Sequence, residues 1–133
     1  MALVGRLHPL IVHFPIALVM LAAAATGGRR WRIVGVINLR AGAAFAVAAV
    51  IAGWRLASAP GVDPTPLLEW HGWLGAIAAV LTVATAMATS RVERRSFRDL
   101  AIYRLALFCA ATCVAVTGHV GGLLVWGADF LRP

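Results

Sequence analysis

The chain has 133 residues, 62% of them hydrophobic and 13% charged, with a formal net charge of +7. A soluble domain is about half apolar and a quarter charged, and a chain this short cannot hide so much apolar surface from water. An ordinary soluble enzyme, a disordered tail and a disulfide-stapled secreted module are therefore excluded.

All twelve basic residues are arginine. They fall in the gaps between apolar runs, which reads as a topology signal facing anionic lipid and not as a nucleic-acid surface. Crossing a bilayer core of roughly 30 Å takes about 20 apolar residues in a helix. Leu7 to Gly28 carries no Asp, Glu, Lys or Arg. Ile33 to Ala59 is broken only by Arg40 and Arg55. Those two arginines lie roughly 22 Å apart along a helix, so each can reach its own membrane face. Trp70 to Ser90 and Leu105 to Ala128 are again free of these charges. The expected spans are thus about 8–27, 33–58, 67–89 and 102–127, in a single membrane domain. The Pro/Gly-rich stretch from Ser58 to Pro66 marks a loop, with Thr65 as N-cap and Pro66 at the first helical position of the third helix. Lipid offers bare backbone groups no partner, so the spans must be helices. Short links make neighbours antiparallel. The expected fold is an all-α, integral membrane four-helix bundle of up-down-up-down topology.

Arg6, the apolar run after it and Ala22 to Ala25 also resemble a cleavable leader. However, the positive cluster of Arg29, Arg30 and Arg32 follows the run where a leader needs it before, so the segment reads as a retained span. Charge then orients the bundle. The first and third links hold Arg29, Arg30, Arg32, Arg91, Arg94, Arg95 and Arg98, with Arg40 and Arg104 nearby, against Glu93 and Asp99. The opposite face holds Arg6, Arg55 and Arg132 against Asp63, Glu69 and Asp129. The positive-inside rule puts the arginine-rich links in the cytoplasm and both termini on the extracytoplasmic side of a bacterial cytoplasmic membrane. Trp54, Trp70, Trp73 and Trp126 fall near the outer boundary, and Trp31 and Tyr103 near the inner one, as interfacial belts do.

All four histidines, His8, His13, His71 and His119, belong to the outer half of this layout. His8 is expected at the surface, with His13 roughly 7 Å below it and His119 roughly 10 Å below Trp126. His8 and His13 stand about 140° apart around a helix, so they cannot face one point unless Pro9 distorts the turn. Histidines inside a span are costly and usually face the bundle interior with a partner, and imidazole is a ligand of haem iron, copper and zinc. A b-type haem needs two imidazoles from facing helices and room for a flat macrocycle. Gly72 and Gly75 follow His71, Gly75 one turn away, and Gly118, Gly121 and Gly122 flank His119; Arg55 is placed to pair with a propionate. Helices one and three, on a diagonal, suggest His13 with His71; depth suggests His13 with His119. The same small residues also serve plain helix packing, as in Gly118-x-x-x-Gly122. A metal site of His13, His71 and His119 with His8, holding copper or zinc, is the other ligand reading.

HPLIVHFPIAL (His8 to Leu18), EWHGWLGAIAA (Glu69 to Ala79) and TGHVGGLLVWGADFL (Thr117 to Leu131) resemble a family of small bacterial four-helix membrane proteins of unknown function. The resemblance covers essentially the whole chain and includes all four histidines. Some members are fused to, or encoded beside, c-type cytochrome domains, and the layout is similar to cytochrome b bundles. The resemblance implies a non-covalent haem b and electron transfer near the outer face, between membrane quinol and an extracytoplasmic partner. It also implies other membrane subunits or a c-type cytochrome as partners. The alternatives are a cofactor-free structural or assembly subunit and a metal-binding membrane protein.

Cys109 and Cys113, one turn apart, read as small apolar fillers, since an i,i+4 disulfide on one helix has poor geometry. No C-x-x-C-H motif is present. Asn38 reads as a packing residue, and Glu69 and Asp129 as groups able to tune an imidazole. No nucleotide loop, catalytic triad or paired carboxylate site appears, so no catalytic residue and no nucleic-acid partner are expected.

Overall fold

A computed structural model describes residues 2–25, 29–92, 97–127 and 129. Expectations that rest on Gly27, Gly28, Glu93, Arg94, Arg95, Phe130 or Arg132 lie outside these residues. Every regular element among the described residues is a helix: α1 Ala2–Arg6, α2 His8–Ile11, α3 His13–Ala24, α4 Arg29–Ala57, α5 Pro66–Val92 and α6 Phe97–Trp126. Four helical stretches are long and apolar enough to cross a membrane: Val4–Ala24, Arg30–Ala57, Pro66–Thr89 and Arg98–Trp126. These are spans one to four. Span one packs on spans two and four, and span three on the same two, which leaves one and three across the diagonal of an antiparallel bundle.

Span one begins earlier than the charge pattern suggests and is assembled from three helical pieces. The cause is proline. Pro9 and Pro15 have no N–H to give to the carbonyls four residues back. The chain bridges the gaps with shorter or longer bonds: Leu7 N–H to the Val4 carbonyl at 3.3 Å, Leu10 N–H to the Leu7 carbonyl at 3.1 Å and Ile16 N–H to the Val12 carbonyl at 3.4 Å. Leu7 and Val12 keep helical dihedrals, so the axis carries on through both joints.

The link between spans two and three follows its turn chemistry. Gly61 has φ +86°, a left-handed conformation that glycine adopts without steric penalty. Thr65 Oγ1 accepts the Leu68 N–H at 3.2 Å, capping the helix that opens with Pro66.

Among the described residues, ten of the fourteen buried apolar side chains are alanine, so the helices run close together. The larger core groups gather toward the end away from the histidines, where Leu39 and Leu107 pack with Ala22, Ala43 and Ala86. Thr82, Thr85 and Thr89 are buried on span three and give their hydroxyl hydrogens to carbonyls of their own helix, Ala78, Leu81 and Ala86. This satisfies them without a partner helix. Thr89 also accepts a bond from Arg40 Nη2 at 2.9 Å, so this arginine is anchored to span three. Asn38 bonds the Val34 carbonyl of its own helix at 2.8 Å. Cys109 and Cys113 are free thiols.

A Cβ built on Gly42 would sit 2.9 Å from Val19 Cγ2 and 3.3 Å from Leu18 Cβ, and Val19 is fully buried. Gly42→Ala is therefore expected to push spans one and two apart and to cost about 1–3 kcal/mol by overpacking, read as a lower unfolding midpoint in mild detergent. Gly122→Ala meets nothing within 4 Å and should leave that midpoint unchanged or raise it, since alanine favours the helix.

Candidate functional site

The site is built by two histidines from diagonal helices. His8 leads the second piece of span one, and His71 lies one turn into span three. Their ring centres are 6.1 Å apart with planes at 79°, an edge-to-face contact. Both are half-buried. Pro9 is not the device that sets the pair. Five residues of helix rotate His13 about 140° from His8, so when His8 turns into the bundle His13 turns out.

Each ring rests in a notch that only glycine leaves open. A Cβ on Gly53 of span two would lie 2.8 Å from His8 Cε1, and one on Gly121 of span four would lie 3.0 Å from His71 Cε1. Gly5 adds a third close approach, since its Cβ would fall 2.9 Å from the Leu56 backbone nitrogen, which holds the start of span one against the end of span two. All four helices thus contribute to one pocket of small residues around two imidazoles.

Hydrogen bonding makes the two rings unequal. His8 Nδ1 lies 2.9 Å from the Ala49 carbonyl oxygen. A carbonyl can only accept, so Nδ1 carries the proton and Nε2 is left with its lone pair. His71 Nδ1 is buried with no hydrogen-bond partner, although the Thr117 backbone faces the ring. A buried nitrogen left without a partner is costly. It marks the place where the site has unused bonding capacity.

The other expected residues divide differently. His13 and His119 are exposed and do not join His71, so the expected meeting of His13, His71 and His119 is replaced by His8 with His71. His8 is also not at the surface as expected. Among the described residues no group of three His, Cys, Asp or Glu side chains is arranged to hold a metal ion. Gly75 packs toward Thr117, with a built Cβ 3.7 Å from its Cγ2, and Gly118 packs on Ile16 at 3.1 Å. Gly122 opens on free space. Arg55 and Glu69 are exposed at the same end of the bundle. Trp54 and Trp73 meet edge to face at 6.0 Å there. Sequence reasoning missed Gly53, and it set Gly121 beside His119 where the structure sets it against His71. The signal was present as glycines near the histidine end of spans two and four, but only the rotation of each helix says which ring a glycine meets.

Four apolar helices around a paired-imidazole centre define a polytopic helical membrane protein. The profile of the family described as "Predicted membrane protein (DUF2231)" matches residues 6–130, and the chain belongs to this family. No curated protein matches the chain, and no solved structure does.

The notches give a direct expectation. Gly53→Ala should displace the His8 ring and Gly121→Ala the His71 ring. In ¹⁵N-histidine NMR spectra of the protein in micelles, each substitution should move the resonances of its own ring while those of His13 and His119 stay in place. Unchanged His8 and His71 signals in both variants would show that the rings do not sit against these glycines.

Proposed function

We propose that this chain is a membrane-embedded b-type haem protein that passes electrons near the outer face of a bacterial cytoplasmic membrane, as a subunit of a larger redox complex, with His8 and His71 as the residues that would hold the haem. The observation that carries the reading is the pair of imidazoles from diagonal spans with ring centres 6.1 Å apart. A metal–imidazole bond is about 2 Å and its nitrogen about 1 Å from the ring centre, so opposed imidazoles on one ion stand roughly 6 Å apart. The spacing of the ring centres matches that of two imidazoles sharing one iron.

Three further features support it. The Ala49 carbonyl orients His8 and leaves Nε2 as the donor atom, which is how ligating histidines are usually held. His71 Nδ1, buried and unbonded, has capacity that a ligand would use. Two imidazoles supply only half of a four-coordinate protein cage, whereas a porphyrin brings four nitrogens of its own, so the pair suits haem better than zinc or copper. When bound, haem b supplies a one-electron couple. The chain's own part is to hold two imidazoles near each other, half-buried in the bundle. Arg55, at the same end, is the cation suited to a propionate, and Gly75 and Gly118 let spans three and one close on span four beside the centre. The arginine-rich links set the orientation, with both termini and the imidazoles toward the extracytoplasmic side. There a membrane quinol and a c-type cytochrome are the chemically fitting partners.

The protein purified in mild detergent, loaded with haem where needed, should give a sharp α-band in its dithionite-reduced minus oxidised spectrum. His8→Ala and His71→Ala should each abolish the low-spin band, while His13→Ala should not. A flat difference spectrum with no haem retained would overturn the reading. The pair would then be a packing contact of a cofactor-free subunit, which the His8–Ala49 hydrogen bond favours as second choice.

A further inference from the structure

His13 and His119 have no place in the interior site, yet both lie well inside membrane spans and both are exposed. Among the described residues neither ring has a hydrogen bond or a ring contact. Ionisable side chains at such depth rarely face lipid alone.

Their positions relate to one seam. Gly118 of span four packs on Ile16 of span one, which fixes the level at which these antiparallel helices meet. His13 lies three residues before Ile16 and His119 one residue after Gly118. Both steps lead toward the same membrane face, so their α-carbons differ in level by only about 3 Å. The rotations agree as well. On span one, Val19, which meets Gly42 of span two, lies to one side of Ile16, and His13 lies about 60° to the other. On span four, Thr117 and Gly121 turn to span three, and His119 lies about 100° from Gly118 in the opposite sense. Both imidazoles therefore flank the outer side of the seam between spans one and four, at one level.

Two imidazoles pointing outward from neighbouring helices cannot clasp a flat macrocycle from opposite faces. They can bind one small cation side by side. We propose that His13 and His119 form half of a four-imidazole site for a divalent late first-row cation, completed by the same two residues of a second copy of this chain.

The second copy follows from the membrane itself. Every copy has the same orientation, so a two-fold axis along the membrane normal brings seam to seam with all four imidazoles at one depth. Four neutral imidazoles match the donor number and type that zinc and its neighbours take. One turn deeper than His13 and His119 stand Ala17 and Ala115, both exposed. Small residues there let two helix pairs approach closely. The site goes beyond the interior haem reading and uses neither His8 nor His71.

The test uses the full chain in detergent or nanodiscs, with Zn²⁺ followed by calorimetry and Co²⁺ by its visible absorption. One ion should bind per two chains, with tetrahedral cobalt bands, and the ion should shift the protein from monomer to dimer in light scattering. His13→Gln and His119→Gln should each lose the bands and the shift. Ala17→Leu, which keeps both imidazoles but blocks the approach, should lose them together and serves if the histidine variants fail to fold. One ion per chain, binding that survives His13→Gln and His119→Gln, or binding without dimer formation would overturn the proposal. None of these outcomes depends on the haem spectrum, so the interior reading stands or falls by its own measurement.

Discussion

Close approach of helix backbones is the constraint on which the rest of this protein depends. Association in lipid gains little from the hydrophobic effect and relies on packing and hydrogen bonds. A core made mainly of alanine brings the spans near enough for that packing. Two imidazoles are accommodated because Gly53 and Gly121 withhold a Cβ where each ring lies. The centre is therefore a product of what the neighbouring helices lack as much as of the histidines themselves.

The polar groups of the interior are handled in two ways. Threonine hydroxyls on span three are absorbed by their own helix carbonyls, so the lower core is chemically quiet. At the histidine end, His8 takes a carbonyl from span two, while His71 keeps a buried nitrogen without a partner. The unmet hydrogen-bonding capacity among the described residues thus lies at the histidine level of the bundle. Arg40, held by Thr89, belongs to the other end.

Much of the architecture was legible in the sequence because hydropathy and charge are read directly by the bilayer. Four apolar runs separated by arginine-bearing links allow few other folds, and Thr65-Pro66 announced the start of a helix. The site was legible only in part. Counting residues placed four histidines toward one face and showed that His8 and His13 cannot both look inward. It could not say which one does. That choice is made by the rotation of span one, which Gly5 against Leu56 and Gly42 against Val19 set through contacts distant in sequence. Depth alone favoured His13, and the rotation chose His8.

The proline joints of span one give the imidazole pair a mechanical asymmetry. A helix with two rungs missing from its ladder bends more easily than an intact one, and His8 is carried between those joints. His71 is carried on an unbroken helix, Pro66–Val92. A change at that rim of the bundle that tugs on the amino-terminal segment would swing one ring while the other stays put. The gap between them, and any affinity or potential that depends on it, thus has a built-in adjusting arm on one side only.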